Sequence, residues 1–101
     1  MAYIIEWTAH ARNELDTVYN YLENNWNSRE IIRFSQLLEK KLSVIIKLPF
    51  IYPAYERNKA VRRCVISKQI SLYYQIIANR IIVLSLFDNR QAPDKLMIFE
   101  S

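Results

Sequence analysis

The sequence predicts a small α+β domain in which an antiparallel sheet packs against a hairpin of two helices. Three patterns predict this fold: strand-type alternation in residues 3–7, two amphipathic helical stripes between residues 8 and 48, and three β-rich runs after residue 60. The expected order is therefore a strand, two helices and three strands. The 101 residues suffice for one domain, spanning 1–101, and leave no length for a second.

The spacing of apolar residues predicts the first strand and the first helix. Tyr3, Ile5 and Trp7 fall on one side of an alternating segment, which is typical of a half-buried strand. Thr8 can then cap a helix whose apolar residues recur every three or four positions. These residues are Ala11, Leu15, Val18, Leu22 and Trp26. Both tryptophans, Trp7 and Trp26, are expected to anchor the core.

A second helix follows at once. Asn27 or Ser28 can cap it, and Glu30 can reach back to the cap in a variant of the capping box. Its buried stripe consists of Ile31, Phe34, Leu38, Leu42 and Ile45. Further apolar side chains widen this stripe, so the helix either lies deep in the core or offers surface to a partner. Pro49 should end it, because the residue before a proline is disfavoured in a helix.

Three β-rich runs predict the sheet. They are Val61–Ile66, Ile70–Ile77 and Ile81–Phe87. The connections at 67–69 and 78–80 have the length of hairpin turns, which predicts an antiparallel meander. The last run is almost wholly apolar, as in a central strand covered on both faces. Residues 50–59 are expected to form a loop, and 96–99 fit a helical turn or a strand.

Composition argues against several kinds of site. The chain has no glycine, which excludes P-loops and dinucleotide-binding fingerprints, and the asparagines at 24, 25 and 27 are expected to supply any left-handed backbone. A single cysteine, Cys64, allows no internal disulfide, and a single histidine, His10, makes a metal site improbable. We therefore expect no cofactor and no metal, with Cys64 a buried filler and His10 incidental.

Targeting signals are equally sparse in the sequence. No run of 18 apolar residues occurs, and residues 1–7 lack the pattern of a signal peptide. The expectation is a cytoplasmic protein that does not associate with membranes.

The net charge of +4 lies entirely in the second half of the chain. Residues 1–50 carry six basic and six acidic side chains, whereas residues 51–101 carry eight and four. Such an excess is typical of a surface that binds a polyanion or an acidic partner, although a solvated basic face is also possible. The candidate binding residues are Arg57, Lys59, Arg62, Arg63, Arg80 and Arg90.

Several short motifs, taken in order, resemble one family. They are Ile5-Glu6-Trp7-Thr8 followed by Ala11 and Leu15, then Leu48-Pro49, Val61-Arg62-Arg63, Leu72-Tyr73-Tyr74, and Phe87-Asp88-Asn89-Arg90-Gln91-Ala92-Pro93. Their order and spacing resemble the RelE/ParE superfamily of toxins from type II toxin-antitoxin systems, also called plasmid-stabilisation proteins. The likeness spans nearly the whole chain and is closer to the ParE branch.

This resemblance implies a bacterial toxin that a cognate antitoxin with an acidic segment holds inactive. ParE-like members inhibit DNA gyrase without known catalysis, whereas RelE-like members cleave messenger RNA on the ribosome. A non-toxic relative that only binds is a third reading. Operator DNA would be bound only through the antitoxin complex.

For the ribonuclease alternative, the sequence offers cations and a tyrosine but lacks one expected group. The candidates are Arg62, Arg63, Lys68, Tyr73 and Arg90. RelE-like nucleases usually place a tyrosine or histidine after the last strand's arginine, and residues 91–101 contain neither. The resemblance therefore favours gyrase inhibition by binding.

Two residues that are adjacent on a strand place their side chains on opposite faces of the sheet. The side chains of Arg62 and Arg63 should point to opposite faces of the sheet, and one of them is expected to pair with a helix carboxylate such as Glu39 or Asp16. Tyr73 and Tyr74 should divide in the same way. In the polar turn that follows the last strand, Arg90 is expected to pair with an aspartate, either residue 88 or residue 94.

Overall fold

A computed structural model describes residues 2–98 and confirms the α+β class and the predicted order of elements. The elements are β1 (Ile4–Trp7), α1 (Ala9–Asn25), α2 (Ser28–Lys47), β2 (Ala54–Tyr55), β3 (Asn58–Val65), β4 (Ile70–Ile77), β5 (Arg80–Asp88) and a 3₁₀ turn (Pro93–Lys95). The sequence left open whether 96–99 form a helical turn or a strand. Residues 96–98 form neither, and residue 99 lies outside the described residues.

The sheet has five strands in the order β1-β5-β4-β3-β2. The strands β3, β4 and β5 form the predicted antiparallel meander, and β1 extends it in parallel with β5. This parallel pair is possible because the two helices lie between β1 and the meander in the chain and return it across the sheet. The short β2 lies in the expected loop, and β3 begins at Asn58 rather than Val61 because β2 pairs with it.

Strand β5 is buried on both faces, as its continuous apolar run predicts. On the helix face, Ile81, Val83 and Leu86 join the main core with residues of α1 and α2. On the opposite face, which we call the open face, Leu84 and Phe87 belong to a smaller cluster. The sheet therefore has one face covered by helices and one that only short segments cover.

Beyond the end of β1, Thr8 and helix α1 form the hydrogen bonds along the edge of β5. The Thr8 backbone N–H donates to the Val83 carbonyl at 3.1 Å. Further along, one carboxylate oxygen of Glu14 accepts from the Ser85 hydroxyl at 2.7 Å and from the Leu86 N–H at 3.0 Å. These bonds satisfy backbone and side-chain groups that β1 is too short to reach.

Both helices begin with the predicted caps. The Thr8 hydroxyl accepts from the Ala11 N–H, and the Asn27 side chain accepts from the Glu30 N–H, each at 3.1 Å. Trp26, however, is 52% exposed, so its expected role as a core anchor is wrong. The reason is that α1 ends at residue 25 and residue 26 has an extended backbone, which takes its side chain out of the helical stripe.

The C-terminal end of α2 is fixed by a buried hydrogen bond from the sheet. The Tyr74 hydroxyl donates to the Pro49 carbonyl at 2.6 Å, and Tyr74 itself is fully buried. Burial raises the pKa of Tyr74 to about 12, because the phenolate would lose its hydration there. The bond ties the chain after α2 to the centre of β4.

The turn between β4 and β5 contains a left-handed residue that the sequence does not indicate. Ala78 has a φ of 54°, the only positive value within residues 2–98. The asparagines expected to supply left-handed backbone do not do so. The same turn offers the Asn79 carbonyl to the Ile4 N–H at 2.9 Å, so its shape also places the start of β1.

Replacing Ala78 by glycine should raise the free energy of unfolding by about 1 kcal/mol, because glycine lacks the Cβ that disfavours a left-handed residue. Urea unfolding of the two proteins would measure the change. Ala60→Gly is the matched control, since residue 60 is an exposed strand residue, and there glycine should lower stability. A loss of stability in both variants would contradict the role assigned to residue 78.

Replacing Tyr74 by phenylalanine should lower the free energy of unfolding by about 1–3 kcal/mol, because the Pro49 carbonyl is left buried without its donor. The difference in unfolding free energy between wild type and variant should be largest below pH 10 and should shrink as the pH rises towards 12. Over that range Tyr74 ionises in the unfolded wild-type chain but not in the folded one, which favours unfolding of the wild type and has no counterpart in the variant. Urea unfolding at pH 8 to 11 would measure this. A difference that is constant with pH would contradict the assignment, and Tyr3→Phe is the control.

Candidate functional site

A cleft of about 500 Å³ lies on the open face, beside the end of β5. Among its lining residues are Tyr55, Arg57, Arg63, Tyr73, Phe87 and Asn89. Arg63 on β3 and Tyr73 on β4 are direct cross-strand neighbours, so the sheet register places their side chains together. We call this site the open-face cleft.

Arg63 has few partners within the cleft. Its Nη2 donates to the Asn89 side-chain oxygen at 3.4 Å, which is long for a hydrogen bond. Its Nε is buried and has no acceptor among residues 2–98. On the same face, the fully buried Ser71 hydroxyl also has no hydrogen-bond partner in this part of the chain. The cleft therefore contains a half-buried cation whose hydrogen-bonding capacity is mostly unused.

Tyr73 forms one wall of the cleft. Its ring meets that of Tyr55 edge to face, with centroids 5.0 Å apart and planes at 72°. Burial raises the pKa of Tyr73, although the nearby Arg63 acts in the opposite direction. The hydroxyl thus keeps its proton at neutral pH, where it can donate a hydrogen bond.

Arg62 serves the other face of the sheet, as alternation along the strand predicts. Its Nη1 donates to the carbonyls of Phe50 and Tyr52, at 3.1 and 2.6 Å. The guanidinium also lies 5.0 Å from the centroid of the Phe50 ring. The expected ion pair with a helix carboxylate, Glu39 or Asp16, is therefore wrong, because carbonyl groups of the loop after α2 lie within hydrogen-bond distance of the Arg62 guanidinium.

Two other candidate arginines hold carboxylates of their own. Arg80 binds Glu6 through two hydrogen bonds of 2.8 and 2.9 Å, and Arg90 binds Asp88, its nearest contact being 2.6 Å. The pairing of Arg90 with Asp88 is one of the two that the sequence allows. These pairs lower the pKa of both carboxyl groups, chiefly through the hydrogen bonds.

The candidate cations do not form one patch. Arg80 and Arg90 lie at opposite ends of β5, whose nine residues span about 30 Å. Arg57 lines the open-face cleft, while Lys59 is exposed on β3. Of the six binding candidates, the open-face cleft thus brings together Arg57 and Arg63.

A second depression, which we call the helix-sheet groove, has a volume of about 520 Å³. Its lining residues include Tyr21, Trp26, Arg33, Phe34, Lys68 and Arg90. It lies between the helical hairpin and the turn that joins β3 to β4. Sequence reasoning missed Arg33 and the exposed role of Trp26; the one available signal was the asparagine-rich segment that ends α1.

Residues 2–98 contain no group of three His, Cys, Asp or Glu side chains that could hold a metal ion. Neither helix described has the length and apolar character that a membrane span requires. Cys64 is buried, as expected, and burial raises the pKa of its thiol.

Comparison with known families identifies the chain. The model of the family described as "ParE toxin of type II toxin-antitoxin system, parDE" matches residues 5–93. The protein belongs to the ParE toxin family. Among curated protein sequences, no match was found.

Solved structures show the same fold. A chain of the chromosomal ParDE TA system from P. aeruginosa has a TM-score of 0.70 at 14% identity, covering 85% of this chain and 95% of that one. A copper-bound mutant toxin from Helicobacter pylori has a TM-score of 0.63 at 18% sequence identity, and the match covers 89% of this chain and 97% of that one. A chain of the E. coli DinJ-YafQ toxin-antitoxin complex has a TM-score of 0.59 at 13% identity, and the match covers 89% of this chain and 96% of that one. At these identities the likeness concerns the fold.

The two adjacent arginines should differ sharply in what they contribute to stability. Arg62→Met removes donors from two carbonyls and should lower the free energy of unfolding by about 1–3 kcal/mol. Arg63→Met should leave it unchanged or raise it, because it removes a half-buried charge that has little compensation. Urea unfolding of both variants would test this pair. Equal losses would mean that Arg63, too, is a structural residue.

Proposed function

We propose that this ParE family toxin stops growth by binding DNA gyrase in the cytoplasm, and that a cognate antitoxin with an acidic segment neutralises it. The toxin would block the enzyme or stabilise it on DNA without chemistry of its own. The observation that carries the proposal is the open-face cleft, which combines donors and apolar walls but places no acid beside a base.

Cleavage of RNA by attack of a 2′-hydroxyl needs a base to accept one proton and an acid to supply another. Tyr73 retains its proton because its pKa is raised, so it is unsuited to act as the base. The one carboxylate lining the cleft, Glu56, is exposed at the rim and has no hydrogen bond to Tyr73 or Arg63 within residues 2–98. The other nuclease candidates, Lys68 and Arg90, line the helix-sheet groove instead. These placements support binding rather than cleavage.

The helix-sheet groove supports the antitoxin as first partner. Its floor includes the apolar side chains of Phe34 and Ile70, which suit the apolar stripe of an amphipathic helix. Arg33 and Lys68 also line it, and neither belongs to an ion pair within residues 2–98. Acidic residues flanking such a stripe would complement them. Operator DNA would then be bound through the antitoxin.

Purified protein should inhibit the supercoiling of relaxed plasmid by bacterial gyrase, and saturation with antitoxin should reverse the inhibition. Arg63→Glu should weaken inhibition at least about tenfold, because reversing a central charge costs more than removing it. Lys40→Glu is the control, since it makes the same charge change on an exposed part of α2.

Folded protein that leaves gyrase unaffected would overturn the gyrase target. A translation assay with mapped message ends would then test the ribonuclease alternative, and cleaved ends that vanish in Arg63→Ala would establish it. Harmless overexpression without antitoxin would instead identify a non-toxic binding relative.

A further inference from the structure

We infer that the open-face cleft is a pocket for a single carboxylate, an Asp or Glu side chain presented by a protein partner, and that Arg63 and Asn89 receive it. The inference rests on the proposed function, which makes this chain a binding protein. It adds the chemistry of the group that occupies the cleft.

The first argument is the incomplete solvation of Arg63. Its side chain is half-buried between β4 and the segment after β5. Within residues 2–98 its Nε has no acceptor, its hydrogen bond to Asn89 is 3.4 Å long, and the Tyr73 hydroxyl lies close enough to interact with it. Arg80 and Arg90 each hold a carboxylate at 2.8 Å or less. A buried donor without an acceptor is costly, and an incoming anion would remove that cost. Within residues 2–98, Arg63 is thus a sheet arginine that has neither a carboxylate partner nor a short hydrogen bond, whereas Arg62 donates to two carbonyls and Arg80 to a carboxylate.

The second argument is the set of donors around it. The terminal nitrogens of a guanidinium form a planar fork that matches the two oxygens of a carboxylate. Asn89 turns its side-chain oxygen to Arg63, which leaves its amide nitrogen able to donate. Tyr73, also lining the cleft, keeps its proton and adds a hydroxyl donor. Arg57 also lines the cleft but is exposed, so Arg63 is its half-buried cation, and one half-buried cation with neutral donors suits a group with a single negative charge.

The third argument distinguishes a protein side chain from a nucleic acid. A nucleic-acid strand carries a charge at every nucleotide and is bound by a row of cations with aromatic platforms. Here Arg57 and Arg63 line the cleft together with one carboxylate, Glu56, while Arg62 serves the other face and Arg80 and Arg90 are engaged elsewhere. Part of the wall is apolar, with Pro53, Pro93 and Leu96 beside Phe87. Such walls suit the apolar neighbours of one acidic residue in a peptide.

The experiment follows the Nε–H signal of Arg63 by NMR, since a buried Nε–H is shielded from exchange with water. The intact protein is titrated with N-acetyl-aspartate amide, which carries a single side-chain carboxylate. N-acetyl-asparagine amide is the neutral control, and dimethyl phosphate represents a nucleic-acid backbone. Ionic strength is held constant with chloride. The aspartate probe should give a saturating shift, and the asparagine probe should give none.

Binding of dimethyl phosphate should be at least about tenfold weaker than binding of the aspartate probe. Asn89→Ala should weaken binding of the aspartate probe about threefold to tenfold while leaving the Arg63 signal observable. Lys40→Gln, which removes an exposed positive charge from α2, away from the cleft, should leave the affinity unchanged.

Each outcome decides the inference. Equal or tighter binding of dimethyl phosphate would overturn the assignment to a carboxylate and favour a nucleic acid. The absence of saturation below about 50 mM aspartate probe would overturn the pocket itself, because weaker binding is worth less than one charged hydrogen bond. The supercoiling assay is independent of this titration, so failure of the pocket can be told apart from failure of the gyrase proposal.

Discussion

Strand β5 is the constraint on which the rest of the structure depends. It is buried on both faces, paired with β4 on one edge and with β1 on the other, and completed beyond β1 by Thr8 and Glu14 of the first helical segment. A strand so enclosed must have every backbone group satisfied from within the chain. The positions of the helices, the parallel first strand and the two sheet faces all follow from this requirement.

The two faces created by β5 divide the chain's polar chemistry. Alternation along β3 directs Arg62 to the helix face and Arg63 to the open face, and cross-strand pairing gives each a tyrosine of β4 as neighbour. On the helix face these side chains secure the segment after α2, through carbonyls of Phe50, Tyr52 and Pro49. On the open face, the side chains of Arg63 and Tyr73 donate to no backbone carbonyl within residues 2–98, and Arg63 has only a long hydrogen bond to Asn89. One face stabilises the fold, while the other retains unsatisfied groups of the kind that binding sites contain.

Net charge is a poor guide to where such a protein binds. The basic excess of the second half suggests one extended cationic surface, yet Arg80 and Arg90 are each neutralised by a carboxylate in direct contact. Of the other cations in this half, Arg57 and Arg63 line the open-face cleft, and Lys68 lines the helix-sheet groove on the other side of the sheet. A half-buried guanidinium in a cleft of mixed polarity suits a specific protein contact better than diffuse attraction to a polyanion.

The sequence by itself determined the helices and their caps, the meander, the central position of β5 and the separation of Arg62 from Arg63, because periodicity and capping depend on residues a few positions apart. The tertiary structure decided the parallel pairing of β1, the partners of Arg62, Arg63 and Arg80, and the left-handed turn at Ala78. The pairing of β1 and the contact of Arg80 with Glu6 join groups distant in the chain, since Arg80 and Glu6 are 74 positions apart. No local pattern specifies such a partner, since it depends on which elements the sheet brings side by side.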